Sequence, residues 1–69
     1  MKLTIEVEQE MDGRWIADVT DLPGVMLYGD SRESAIHAVQ ALALRVIADR
    51  LEHGEPVDER LLDAVFAAA

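Results

Sequence analysis

The sequence predicts an α+β fold. Its parts are a three-stranded antiparallel β-sheet packed on one long α-helix, in the order β-β-β-α, and then a short C-terminal helix. Three observations carry this. Apolar residues alternate at every second position over three short stretches of the first thirty residues. Turn residues, Asp12-Gly13 and Leu22-Pro23-Gly24, separate those stretches. From Arg32 to about His53 the apolar period then changes to the three- and four-residue spacing of a helix.

The first strand is expected over residues 1–9. Leu3, Ile5 and Val7 face one side, and Lys2, Thr4, Glu6 and Glu8 the other. Glu6, Glu8 and Glu10 form an acidic row, either a solvated strand face or a contact surface for a basic partner. Asp12-Gly13 is a hairpin signal. The second strand follows over 14–19, with Trp15, Ala17 and Val19 on one face and Arg14 and Asp18 on the other, where Ile16 interrupts the polar pattern.

Pro23 presets φ at the second position of a turn, and Gly24 supplies a positive φ at low cost. The Leu22-Pro23-Gly24 corner is expected to be exposed and rigid, serving as a plain turn or as a docking point that costs little entropy to immobilise. The third strand runs over 25–28, ending at Gly29-Asp30. Trp15 is either a core ring laid over Ala17 and Val19 or an interface anchor. Tyr28 is divided between the same two roles.

The sheet has one apolar face that needs a cover. The helix over 32–53 supplies it through Ile36, Val39, Ala43, Val46, Ile47 and Leu51. Ser31 is a good N-cap and Glu33 sits favourably in the first turn. Ser34 stands where a capping box wants Glu, so the box is expected to be incomplete. Gly54 ends the helix, with Arg50 and His53 near its negative end. A second apolar patch on this helix, Ala38, Ala41, Leu42, Leu44 and Ala48, exceeds what a small sheet face covers. It is expected to meet another subunit or the C-terminal segment. Oligomer contacts are expected at Ala41, Leu44 and Ala48, with Leu62 and Phe66 joining them.

Residues 55–69 form a linker and a short helix. Asp58 caps that helix, which runs from Glu59 to about Ala67 with Leu61, Leu62, Val65 and Phe66 as its apolar stripe. A short strand near Pro56 or Val57 is the alternative for the linker. Ala67-Ala68-Ala69 is expected to fray.

The composition sets bounds on function. A chain of 69 residues is at most one domain, and a domain this small buries only about 60% of its unfolded surface. It has no cysteine, hence no disulfide and no thiolate metal site, yet 51% of its residues are hydrophobic. Oligomerisation is the expected outlet for that apolar excess. The net charge of −8 and pI near 4.4 oppose direct nucleic-acid binding and favour either a basic partner or mere solubility. A single lysine and an alternating strand at the start do not resemble a secretion signal, and no apolar run is long enough for a bilayer span. A cytoplasmic location is expected.

Asp12, Asp18, Asp21 and Asp30 lie near strand ends, where two-metal nucleases gather carboxylates around ions about 4 Å apart. Turn and cap roles account for Asp12, Asp21 and Asp30 better. His37 and His53 are sixteen positions apart on one helix, more than four turns, and cannot share a ligand site within one chain. No phosphate loop, nucleophile elbow or other catalytic motif occurs. Catalytic, cofactor and metal residues are therefore all expected to be none.

The combination of Asp12-Gly13-Arg14-Trp15, Asp21-Leu22-Pro23-Gly24-Val25 and Gly29-Asp30-Ser31-Arg32-Glu33-Ser34-Ala35 resembles the HicB-like antitoxin family over roughly the first three quarters of the chain. The resemblance implies a HicB-like domain over residues 1–54 with a partial ribonuclease H-like fold. It also implies a non-enzymatic role: neutralising a small basic HicA-like, messenger-RNA-cleaving toxin by covering it. For that role the expected contact residues are Glu6, Glu8, Trp15, Asp18, Leu22, Pro23 and Tyr28. Fuller family members place a fourth strand and a second helix near residues 55–69, and many then add a DNA-binding module, for which this chain has no room. An orphan homo-oligomeric structural or regulatory module of the same fold is the other reading.

Overall fold

The computed structural model describes residues 2–68. Its elements are β1 (Ile5–Gln9), β2 (Trp15–Val19), β3 (Met26–Gly29), α1 (Arg32–Glu52) and α2 (Glu59–Val65). The sheet is antiparallel in the order β1-β2-β3, so the expected α+β architecture is present. Met1 and Ala69, the ends of the expected first strand and of the terminal alanines, lie outside the described residues.

β1 starts later than the alternation suggests. Beyond Ile5, which pairs with Val19, β2 runs out and turns away. Only the Thr4 carbonyl still accepts from the Thr20 amide, at 3.2 Å. The Thr4 N–H donates instead to Asp21 Oδ2 at 2.8 Å. A side chain thus satisfies the strand end that the ladder abandons.

The β2–β3 link is two successive turns. Leu22 N–H donates to the Val19 carbonyl at 3.0 Å, and Val25 N–H to the Leu22 carbonyl at 3.1 Å. Gly24 has φ +85° at the third position of the second turn, after Pro23, the arrangement of a type II turn. The expected exposed corner is corrected in one respect: Leu22 is buried, 8% exposed, and only Pro23 and Gly24 face solvent. Reversing the chain twice within a few residues swings the Leu22 side chain under the sheet and into the apolar layer.

Register places Ile5, Val7, Trp15, Ala17, Val19 and Leu27 on one face of the sheet. α1 covers that face. The core is Ala17, Val19, Leu22, Val25, Ala35, Val39 and Ala43. Its largest fully buried side chains are only valines, Val19 and Val39. Alanine and valine at Ala35, Val39 and Ala43, four residues apart, let the helix sit close to the sheet.

Gly29 takes that closeness to its limit. A methyl group placed there would lie 2.5 Å from the Ala35 amide nitrogen and 2.8 Å from its Cα. Both are backbone atoms that cannot yield without moving the helix. Ala35, which was not among the residues expected to face the sheet, is therefore a central contact. Leu51, expected to face the sheet, is 48% exposed, because the three short strands end before the helix does.

The helix cap is also better than expected. Ser34 N–H donates to Ser31 Oγ at 3.1 Å, and Ser31 N–H donates to Ser34 Oγ at 3.0 Å. Serine thus completes the capping box that Glu usually closes. At the other end His53 is the C-cap, and the Glu55 amide bonds back to the Arg50 carbonyl at 2.8 Å. Asp58 caps α2 through the Arg60 amide, as expected. α2 stops at Val65, short of Ala67, and no strand forms around Pro56 or Val57. Among the described residues no helix is long and apolar enough to cross a membrane.

Candidate functional site

The sheet has a second face, and among the described residues no element covers it. Alternation and register put two cross-strand rows there: Glu6–Asp18–Met26 and Glu8–Ile16–Tyr28. Glu6, Val7, Glu8, Ile16, Asp18 and Met26 line a shallow depression on it. Met26 and Tyr28 are about half exposed, and Ile16 and Asp18 half-buried. The face is therefore a mixed surface, with an apolar strip of Ile16 and Met26 set among three carboxylates.

The electrostatics of this face are unbalanced. Glu6 lies directly opposite Asp18 in the ladder, and like charges in that relation destabilise a sheet. Among the described residues, the ion pairs are Arg14–Asp12 and Arg60–Asp58, and the His53 imidazole lies 3.2 Å from the Asp49 carboxylate. None involves Glu6, Glu8 or Asp18. A cation brought to this face would relieve a repulsion that the free chain retains.

One cation is held at the margin. The Arg14 guanidinium lies over the Tyr28 ring, 4.3 Å from its centroid, and its Nε donates to Asp12 Oδ2 at 2.8 Å. The Arg14 amide also donates to Asp12 Oδ1 at 3.1 Å. That amide first, and the guanidinium second, hold the Asp12 carboxyl below its usual pKa. Asp12 thus orders the hairpin turn and fixes Arg14 across Tyr28. Asp21 bonds the Thr4 amide. Both aspartates do the turn work that their positions suggest.

Of the expected contact residues, Glu6, Glu8, Asp18 and Tyr28 come together on the open face. Trp15 does not. It lies half-buried on the opposite face, packed against the core, because it shares strand parity with Ala17 and Val19. Leu22 is in the core, and Pro23 stands exposed on the turn. Ile16 and Met26 were not among the expected contacts; Ile16 signalled itself by interrupting the polar face of β2, and Met26 shares the outward parity of Tyr28.

The expected oligomer residues also divide. Leu44, Ala48, Leu62 and Phe66 line one groove between the second half of α1 and α2, joined by Leu3, Ile47, Leu51, Leu61 and Val65. Every residue lining this groove is apolar. Ala41 is exposed but does not line it. His37 and His53 are both exposed, and His53 Nδ1 lies 2.8 Å from the Asp49 carbonyl oxygen. Among the described residues no three His, Asp or Glu side chains are grouped so as to hold a metal ion.

No known protein family, curated protein or solved structure matches this chain.

Proposed function

We propose that this chain is an antitoxin-like protein of the cytoplasm that binds a small basic HicA-like, messenger-RNA-cleaving toxin and occludes its RNA-binding surface. The observation that carries the proposal is the uncovered sheet face, where Glu6, Glu8 and Asp18 surround Ile16 and Met26 without a cationic partner. An RNA-binding surface is rich in lysine and arginine because those side chains neutralise phosphates. The carboxylates offer the same cations an alternative partner, and the apolar strip gives the contact a dry centre. The resemblance of the turn and cap motifs to HicB-like antitoxins agrees with this.

The proposed mechanism is occlusion, with no chemical step. Long-range attraction between a chain of net charge −8 and a basic partner speeds encounter. The rigid sheet then presents its rows without a large ordering cost. This chain would bind neither nucleic acid nor membrane itself.

The test is a tagged pull-down from the native host, with each captured protein identified by intact mass. A small basic protein in fixed ratio is expected, lost steeply as salt is added and lost on Glu6→Lys with Glu8→Lys. Recovery of the chain with no basic partner would favour the other reading, an orphan homo-oligomeric module. The wholly apolar groove between α1 and α2 is the observation on that side.

A further inference from the structure

The groove lies away from the acidic sheet face, and it has its own logic. Leu44, Leu51, Val65 and Phe66 are 68%, 48%, 67% and 68% exposed on its rim. α2, which forms one wall, is a seven-residue helix with no buried residue. Isolated helices shorter than about 12 residues are marginal in water. Within one chain, α2 has little to hold it.

The dimensions state the deficit. The chain exposes 5128 Å², whereas a folded monomer of 7.6 kDa exposes about 4,300 Å². Its radius of gyration is 13.6 Å, against about 11 Å for a compact chain of this length. That surplus of about 800 Å² belongs to the whole chain, and the exposed Leu44, Leu51, Val65 and Phe66 contribute to it; a standard stable interface takes about 800 Å² from each partner.

We propose that a second copy of this chain covers the groove, forming a two-fold dimer in which the α1–α2 surfaces face each other. The patch suits itself: it carries both projecting side chains, Phe66 and Leu44, and an apolar floor at Leu3, Ile47 and Leu61 to receive them. A two-fold contact needs that self-complementarity. The chain's strong negative charge does not forbid it, because no carboxylate lines the groove. Association through this surface is indifferent to salt or strengthened by it, since salt screens repulsion between like-charged copies. The inference is independent of the antitoxin reading, whose contact weakens with salt.

Analytical ultracentrifugation of the full chain at micromolar concentration tests this. Twice the 7.6 kDa chain mass is expected, persisting at high salt. Leu44→Glu or Phe66→Glu is expected to weaken the dimer by at least about tenfold while the circular dichroism of the sheet and α1 is kept. Because the chain has no cysteine, single cysteines give a second readout that does not depend on those variants folding. Under oxidation, at least one of Leu44→Cys, Leu51→Cys, Val65→Cys and Phe66→Cys is expected to trap a covalent dimer, and Tyr28→Cys none. A monomeric wild-type chain overturns the proposal, whether the groove then stays open or takes up a different protein. So does a dimer unaffected by both glutamates, or cross-linking confined to Tyr28→Cys.

Discussion

The sheet–α1 unit and α2 are built from similar residues but by different means. In the first, strand parity, two turns and a reciprocal serine cap all direct side chains to one layer, and all seven core residues fall between Ala17 and Ala43. In α2, a good cap and a regular apolar stripe yield a helix that buries nothing fully. Local rules make an element. Burial needs a second surface at the right distance, and α2 has only the tapering end of α1. The difference teaches that a good cap and a regular stripe do not by themselves bury a helix: α2 buries no residue, whereas the sheet and α1 share the whole core.

Substitutions should break or sharpen that contrast. The largest loss is expected at Leu22→Ala, which empties a filled site in a small core and should cost about 2–4 kcal/mol in chemical denaturation. At about 0.1 kcal/mol per residue, a domain of 69 residues has about 7 kcal/mol in hand. Gly29→Ala follows, at about 1–3 kcal/mol, because the added methyl group meets the Ala35 backbone. Ser31→Ala removes half of the reciprocal cap and should cost about 1 kcal/mol. By contrast, Leu61→Ala at low protein concentration should leave the melt of the sheet and α1 nearly unchanged. A loss as large as that of Leu22→Ala would show that α2 belongs to the same cooperative unit.

The smallest effect is expected from pH. The Asp12 carboxyl is held below its ordinary value of 3.8, so its folded pKa lies under its unfolded one. Its contribution is therefore complete above that ordinary value and is lost as pH falls through the folded pKa. Asp12→Asn should flatten only this acid limb of the stability profile, with no change at neutral pH in its slope.

Much of this was legible in the sequence, and the failures have physical causes. Period, turn residues and caps together located all three strands and both helices: Asp12-Gly13 and Pro23-Gly24 bound the strands, and Ser31, Gly54 and Asp58 bound the helices. The Pro23-Gly24 turn was legible from φ preferences. Leu22 was misread because a residue beside a turn takes its burial from the path of the whole connection, not from the turn's own chemistry. Leu51 was misplaced because helix periodicity does not say where the partner sheet stops. Ser34 was undervalued because a serine hydroxyl both accepts from the Ser31 amide and donates to the Ser31 carbonyl, a role that a rule written for Glu omits. At the candidate site, the expected contact residues Glu6, Glu8, Asp18 and Tyr28 share the open face, as strand parity and register require. Trp15 was proposed for the same site on residue type, and parity placed it on the other side.

The most direct test of the two-surface account is a nuclear magnetic resonance titration of the labelled chain with the small basic protein that the proposed function calls for. Chemical-shift changes are expected at Glu6, Glu8, Ile16, Asp18, Met26 and Tyr28, fading as salt is raised, with Leu44, Leu61 and Phe66 unmoved. Changes confined to the α1–α2 groove, or a complex indifferent to salt, would contradict it.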